Sequence, residues 1–181
     1  ENQHVNAYWL SDACRLSYKA INENRLAGAR LRGKAVSFQE AFKDAQGLFG
    51  GNRPDGAFAV VGSPFCSLED NWALKQFAAK ALNGAALYGW DATPDGPGDD
   101  FLRRADQTPN RAGLNYLGFN RDRQALLDAL HAGTLQVLVV MGNNLAADPG
   151  MAEALRKVPS IVYLGTHEDA TAAIATHVLP A

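Results

Sequence analysis

Two short apolar runs in the last third of the chain, each ending in a glycine and polar residues, constrain the fold most. Residues 135–141 and 160–164 form these runs, and a segment with helical spacing lies between them. The pattern predicts buried parallel strands joined by a crossover helix. Loops at the carboxyl ends of such strands are where α/β folds bind nucleotide-like ligands. The loops that follow the two runs are therefore the first candidates for a binding site.

The rest of the chain repeats this alternation of strand and helix patterns. Strands are predicted at 57–62, 85–89 and 176–179 as well, and helices at 37–49, 67–82, 121–132, 149–157 and 168–175. In the helix at 67–82 we expect Trp72, Phe77 and Ala78 to face the core. The alternation predicts an α/β domain over residues 37–181, with a doubly wound, mainly parallel sheet and helices on both faces.

Two segments do not follow the alternation. Residues 1–36 are interpreted as a lead-in, with a helix from Ser11 to about Asn24 and an extended crossing segment over 25–36. Residues 90–119 hold much of the proline, glycine and aspartate, and predict a long irregular excursion with one helical turn at 99–105. A connection of this length inside a compact domain is usually functional or a remnant of function.

Composition excludes some classes of protein. The net charge of −2 and the pI of about 6.1 argue against a nucleic-acid binder, which usually has a basic face. The longest apolar runs have about five to seven residues, whereas a bilayer span needs ~20. The two cysteines, Cys14 and Cys66, form no Cys-x-x-Cys pair, so we expect reduced thiols and no cluster or metal site in this chain.

The loops after the predicted strands supply the candidate site residues. Glycine allows a tight turn and a close approach to the backbone, and the amide and hydroxyl side chains can form hydrogen bonds. The same residue types also simply close turns between strands and helices, so both interpretations stay open. The loops contain no complete dinucleotide or phosphate-binding glycine motif. The candidates are Ser63, Gly89, Trp90, Gly142, Asn143, Asn144, Thr166 and His167.

Catalytic and metal-binding patterns are weak. His167 and Glu168 stand at a strand end, where an acid and a base could work together. Side chains of adjacent residues usually point apart, so we expect no working pair. The four histidines are scattered without metal-ligand spacing, and no Gly-x-Ser-x-Gly motif occurs. The residues therefore predict neither a catalytic site nor a metal site.

Five stretches of the chain, taken together, resemble a known family. They are Glu1-Asn2-x-x-Val5-Asn6-x-x-Trp9-Leu10-Ser11-Asp12-x-x-Arg15-Leu16-x-Tyr18; Ser63-x-x-x-Ser67-x-Glu69-Asp70-Asn71; Ala105-Asp106-x-x-Pro109-Asn110-Arg111-x-Gly113; Met141-Gly142-Asn143-Asn144-Leu145; and Thr166-His167-Glu168-x-x-Thr171-Ala172. Their order and spacing resemble the region after the iron–sulfur cysteines in molybdopterin oxidoreductases. The chain is most similar to the family of the large iron–sulfur subunit of bacterial NADH-quinone oxidoreductase, respiratory complex I.

The resemblance implies a domain like those of formate dehydrogenase and DMSO reductase, cut from a longer polypeptide with iron–sulfur clusters upstream of Glu1. Active members carry a cysteine, selenocysteine or serine metal ligand after the second strand, and residues 89–95 have no cysteine. Active members also commonly have Asp-Pro-Arg where this chain has Gly165, Thr166 and His167. Both departures imply that the metal and much of the molybdopterin site were lost, which would leave a vestigial cleft.

Three functions follow as hypotheses. The first is a non-catalytic structural and docking domain that supports electron transfer from NADH to quinone. Its partners would be other subunits of the peripheral arm, and it would lie in the cytoplasm, held at the inner membrane through the complex. The second is the molybdopterin-binding domain of a NAD-linked formate dehydrogenase or related molybdoenzyme. The third is a stand-alone nucleotide-binding module.

Overall fold

The structure, a computed structural model, describes residues 15–51, 53–100 and 104–181. Its centre is a seven-stranded sheet with the spatial order β2-β1-β7-β6-β5-β3-β4. Along the chain the strands are β1 (Arg30–Leu31), β2 (Lys34–Ala35), β3 (Phe58–Val61), β4 (Ala86–Tyr88), β5 (Val137–Met141), β6 (Ser160–Gly165) and β7 (His177–Pro180).

The five strands from β3 to β7 are all parallel, which confirms the predicted α/β class and mainly parallel sheet. Numbered among themselves, they follow the order 2-1-3-4-5, which recurs in doubly wound α/β proteins. The chain leaves β3 for β4 on one side and then returns to β5 on the other side. Loops after β3 and β5 therefore diverge, and the crevice between them is where such sheets bind ligands.

Helices cover both faces of the sheet. Phe58 and Val60 belong to one buried cluster, whereas Ala59 and Val61 belong to another, because successive strand side chains point to opposite faces. The helices are α1 (Phe38–Leu48), α2 (Leu68–Ala81), α3 (Arg111–Leu117), α4 (Arg123–His131), α5 (Pro149–Leu155) and α6 (Ala170–Ile174). Helices α1, α2 and α3 contribute to the first cluster, and α4, α5 and α6 contribute to the second.

Several helices begin at a polar side chain that satisfies a free backbone N–H group. Ser67 accepts from the backbone of Asp70, whose carboxylate accepts in return from the backbone of Ser67. Ser37 accepts from Glu40 N at 3.2 Å, and Asp148 accepts from Met151 N at 2.9 Å. The predicted helices at 37–49, 67–82, 121–132, 149–157 and 168–175 are confirmed, with ends that differ by at most two residues.

Helix α3 is a correction to the predicted excursion over 90–119. The described residues 99, 100, 104 and 105 are not helical, and residues 101–103 lie outside the described part of the chain. The helix forms further on because Leu114 and Leu117 are buried in the cluster that α2 shares. Seven residues interrupted by Gly113 give too short a periodic signal to be read from the sequence.

Residues 25–36 were predicted as an extended crossing segment, and within it the structure has two short strands that the prediction did not include. Strand β1 pairs antiparallel with β2 and with β7, and so extends the sheet. The hairpin turns at Arg32 and Gly33, with φ of 48° and 78°. Charged residues in this segment hide the strand pattern, and charges are common on edge strands, where they discourage pairing with other chains. The predicted helix start at Ser11 lies outside the described residues, and a 3-10 helix covers Ser17–Ile21.

The prediction that Trp72 faces the core was wrong, because 54% of its surface is exposed. The buried positions of α2 are Asn71, Leu74 and Ala78, at spacings of three and four residues. Because Asn71 occupies the core-facing position, the next residue, Trp72, lies on the solvent side of the helix. Within the described residues, none of the helices combines the length and apolar character needed to cross a membrane.

Candidate functional site

The predicted crevice between β3 and β5 is closed by hydrogen bonds between the loops that form it. Ser63 Oγ donates to the carbonyl oxygen of Gly142 at 2.7 Å. Asn143 Nδ2 donates to the carbonyl oxygens of Gly62 and Trp90, both at 2.9 Å. Ser63 and Asn143 are buried. The side chains that could have held a ligand therefore join the ends of three strands to one another.

Asn71 completes this closure, although it was not among the candidate residues predicted from the sequence. Its Oδ1 accepts from the backbone N–H of Ser63 at 3.0 Å, and its Nδ2 donates to the carbonyl oxygens of Ser63 and Ser67, both at 2.9 Å. An asparagine at a core position of α2 is the signal that could have revealed it, because a buried amide needs partners.

Two glycines of the crevice are required by packing. A Cβ atom on Gly62 would lie 2.5 Å from Asn71 Oδ1 and 2.9 Å from Phe119 Cε1. Gly142 has a φ of 55°, and a Cβ atom there would lie 2.9 Å from Cys66 Sγ. Their conformations and close neighbours explain both glycines without a bound ligand.

Cys66 brings a thiol to the same crevice from the loop after β3. The thiol is part-buried, and burial raises its pKa. It therefore stays protonated at neutral pH, and a thiol rather than a thiolate is a poor nucleophile and metal ligand. Cys14 lies outside the described residues.

The remaining candidates after β4 and β5 lie at the border of the crevice. Gly89 donates from its backbone to Asn120 O at 2.8 Å. Trp90 is half-buried, with the guanidinium carbon of Arg123 5.7 Å from its ring centroid. Asn144 is exposed, and its Oδ1 lies 3.5 Å from Thr171 Oγ1, a long contact.

Thr166 and His167 hold the N-terminal segment. His167 Nε2 lies 3.1 Å from the carbonyl oxygens of both Ala20 and Ile21, and its Nδ1 lies 2.6 Å from Thr166 Oγ1. Because a carbonyl oxygen only accepts, this arrangement assigns the hydrogen to Nε2, and Nδ1 accepts from the threonine hydroxyl. The imidazole thus anchors the 3-10 helix at Ser17–Ile21.

Glu168 turns away from His167 and pairs with Arg30 of β1. Both terminal nitrogens of Arg30 bind its carboxylate, with Nη2 to Oε2 at 2.8 Å. Hydrogen bonding to Arg30 is the main cause that lowers the pKa of Glu168, and attraction to the same charge adds to it. The two neighbouring side chains therefore have separate partners and do not form an acid–base pair.

A cluster of one buried arginine and three aspartates beyond β4 was not predicted. Arg111 of α3 donates from Nε and Nη2 to the two carboxylate oxygens of Asp91, at 3.0 and 2.9 Å. Its Nη1 lies 2.5 Å from Asp95 Oδ1 and 3.0 Å from Asp106 Oδ1. Hydrogen bonding to Asp91 is the main cause that raises the pKa of Arg111. The sequence signal for this cluster was the presence of several aspartates and an arginine within the 90–119 excursion.

The side chains at this edge do not fit the metal centre of the active members of the family that this chain resembles. Both oxygens of Asp91, the first carboxylate after β4, are engaged by Arg111, and residues 89–95 include no cysteine. Throughout the described ranges, no group of three or more His, Cys, Asp or Glu side chains could hold a metal ion. A cysteine thiolate is the usual ligand of such a metal, and residues 89–95 contain neither a cysteine nor a serine.

A polar cleft of about 390 Å³ remains open between Trp90 and the start of α4. It is lined by Trp90, Asp91, Thr93, Asp95, Arg111, Arg121, Asp122 and Arg123. A second cleft of about 360 Å³ lies at the opposite edge of the sheet, where β3, β4 and β5 begin. The cleft beside Trp90 lies at the carboxyl ends of the strands, which is where α/β sheets bind ligands.

Chemically, the described crevice offers hydrogen-bonded loops, a protonated thiol and the buried pair of Arg111 and Asp91. The hydrogen bonds hold the loops together, and the cleft beside Trp90 has room for a ligand. No protein-family model matches this chain, and no curated protein matches it.

Proposed function

We propose that this chain is a non-catalytic structural and docking domain of the large iron–sulfur subunit of an NADH-quinone oxidoreductase. In this proposal the fold is that of the formate dehydrogenase and DMSO reductase-like domains. Electrons from NADH to quinone pass through clusters held elsewhere in the polypeptide. The sequence resemblance supports the proposed family, and the hydrogen bonds within the crevice support the proposed non-catalytic role.

The observation that carries the proposal is the mutual bonding of Ser63, Gly142 and Asn143. A site that binds a pterin cofactor needs free donors and acceptors at the strand ends, because a buried polar group of the ligand must be matched. Here Ser63 Oγ and Asn143 Nδ2 are committed to backbone carbonyl oxygens of neighbouring loops. The loops therefore support each other in the way that a structural domain requires.

Exposed apolar side chains support the docking role. Two phenylalanines on α1, Phe38 and Phe42, stack with ring centroids 6.0 Å apart and stand exposed. A contiguous apolar patch on a surface commonly marks a contact with another protein, whereas single exposed apolar residues are normal. In the proposal these contacts are made with other subunits of the peripheral arm, at the cytoplasmic side of the inner membrane. Among the residues that the structure describes, the other exposed large apolar side chains are Leu16, Tyr18, Ile21, Phe65, Leu68, Trp72 and Tyr116.

Metal analysis of the purified full-length protein tests the proposal. We expect iron in stoichiometric amount, and neither molybdenum nor tungsten above background. Stoichiometric molybdenum or tungsten, with guanine nucleotide released on denaturation, would contradict it and favour a NAD-linked formate dehydrogenase or related molybdoenzyme. A full-length protein without iron would favour a stand-alone nucleotide-binding module instead.

A further inference from the structure

The turn between α2 and β4 contains the single Asn-Gly dipeptide of the sequence, Asn83 and Gly84. Both residues are exposed, and both have positive φ, 52° and 71°. Asparagine and glycine adopt this left-handed conformation more readily than other residues, which suits them to the end of a helix. The dipeptide also carries a reactive amide, because a glycine offers no side chain to shield the peptide nitrogen that follows the asparagine.

The chemistry available to this dipeptide is an intramolecular attack. The backbone nitrogen of Gly84 loses its proton and forms a bond to Cγ of Asn83. The bond from Cγ to the side-chain nitrogen breaks, so that ammonia leaves and a cyclic succinimide remains. Water then opens the ring at either carbonyl group and gives aspartate or isoaspartate at position 83. Water is the only co-reactant, and no oxidation or reduction takes place.

The native turn holds the attacking nitrogen away from this reaction. The backbone N–H of Gly84 donates to the carbonyl oxygen of Ala78 in α2, at 3.1 Å. A nitrogen that keeps its proton in this hydrogen bond does not attack Cγ of Asn83. The reaction therefore requires the hydrogen bond to break, which happens when the end of the helix opens. Helix ends fray, and local opening costs less free energy than unfolding of the whole chain.

We propose that Asn83 is a site of spontaneous deamidation whose rate is set by local opening of the turn between α2 and β4. The product carries a new negative charge at the carboxyl end of α2, where the helix dipole is itself negative. Isoaspartate also adds a carbon atom to the backbone of the turn, so the hydrogen bond to Ala78 cannot form again in the same geometry. The site precedes β4, whereas the crevice follows β3 and β5, so this inference is independent of the proposed function.

The test incubates the purified chain at neutral pH, in buffer and in urea, and measures deamidation of each asparagine by peptide mapping and mass spectrometry. We expect Asn83 to react at least about tenfold more slowly in the folded chain than in urea, because only the opened turn reacts. In urea, Asn83 should react faster than Asn115. The side chain of Tyr116 shields the nitrogen that would attack Asn115, whereas Gly84 has no side chain.

A pair of variants tests whether the turn, rather than the whole fold, sets the rate. Ala79→Gly, at an exposed position near the end of α2, weakens the helix there and should speed deamidation of folded Asn83 by about two- to fivefold. Ala173→Gly is the matched control, because it makes the same change at an exposed position of α6. It should leave the rate as it is in the wild type.

Three results would overturn the proposal. Equal rates at Asn83 in buffer and in urea would show that the turn does not restrain the reaction. Equal rates in Ala79→Gly and Ala173→Gly would show that opening of this turn does not set the rate. An Asn83 that stays intact in urea would remove the site. The comparison of buffer with urea uses the wild-type chain, so it decides the matter even if a variant fails to fold.

Discussion

Arg111 donates to both carboxylate oxygens of Asp91, and the two side chains are only 7% and 3% exposed. The pair joins the segment that leaves β4 to the start of α3, across the irregular excursion between them. A buried ion pair adds little to stability compared with apolar residues, yet loss of one partner leaves an uncompensated charge. The cluster therefore fixes where the excursion lies on the sheet.

Substitution of Arg111 tests this relationship. Arg111→Met should lower the free energy of unfolding by about 3–5 kcal/mol, because Asp91 is left buried and unpaired. Urea unfolding measures the loss, and Arg156→Met, at an exposed position, should change stability by less than about 0.5 kcal/mol. The double variant Arg111→Met with Asp91→Asn should recover part of the loss. Similar stability of Arg111→Met and Arg156→Met would contradict the role of the pair.

Gly142 provides a second test, with Gly118 as its matched control. Both residues have positive φ, 55° and 82°, so alanine is strained at either position. A Cβ atom at Gly118 meets nothing within 4 Å, whereas one at Gly142 would lie 2.9 Å from Cys66 Sγ. Gly142→Ala should therefore destabilise the chain by about 1–3 kcal/mol more than Gly118→Ala in urea unfolding. Equal losses would show that the crevice has room beside Cys66.

Asn143 and its neighbour Asn144 test whether the side chains of the loop after β5 hold the fold together or are free to bind a ligand. Asn143→Ala removes the donor from two carbonyl oxygens, and we expect a loss of about 1–3 kcal/mol. Asn144→Ala, at an exposed position with one long contact, should cost less than about 0.5 kcal/mol. The free energies of unfolding of the two variants distinguish the interpretations. A small effect of Asn143→Ala would mean that its amide is available to a ligand.

The pair between Arg123 and Asp148 predicts a dependence of stability on pH. Hydrogen bonding to Arg123, with the backbone N–H of Met151 as a further donor, lowers the pKa of Asp148. A carboxylate with a lowered pKa stabilises the fold fully above its ordinary value of about 3.9. That contribution is lost as the pH falls through the lowered pKa of the folded state.

The measurement compares urea unfolding of the wild type and Asp148→Asn at neutral pH and in acid. We expect the wild type to be more stable at neutral pH, and the difference to shrink in acid as Asp148 becomes protonated. Asp55→Asn, at an exposed aspartate, should follow the wild type at every pH. A difference that stays constant with pH would show that the charge of Asp148 is not what stabilises the contact.

The strands of the parallel core were predictable because each is a continuous apolar run that ends at a turn residue. The runs at 57–62, 135–141 and 160–164 all became strands. The hairpin of β1 and β2 was not predictable, since each strand has two residues and depends on pairing with β7 for its place. Likewise, the core face of α2 could not be read from apolar periodicity alone, because it includes the amide of Asn71, which is buried through hydrogen bonds to Ser63 and Ser67.

The sequence by itself determined the alternation of strands and helices, the helix starts at Ser37 and Ser67, and the loops that meet at one edge of the sheet. These features follow from local periodicity and capping, which act over a few neighbouring residues. Only the tertiary structure decided that Ser63 and Asn143 bind the backbone of neighbouring loops, and that Arg111 reaches Asp91. Such contacts join residues that lie far apart in the chain, and their formation depends on distances that no local pattern encodes.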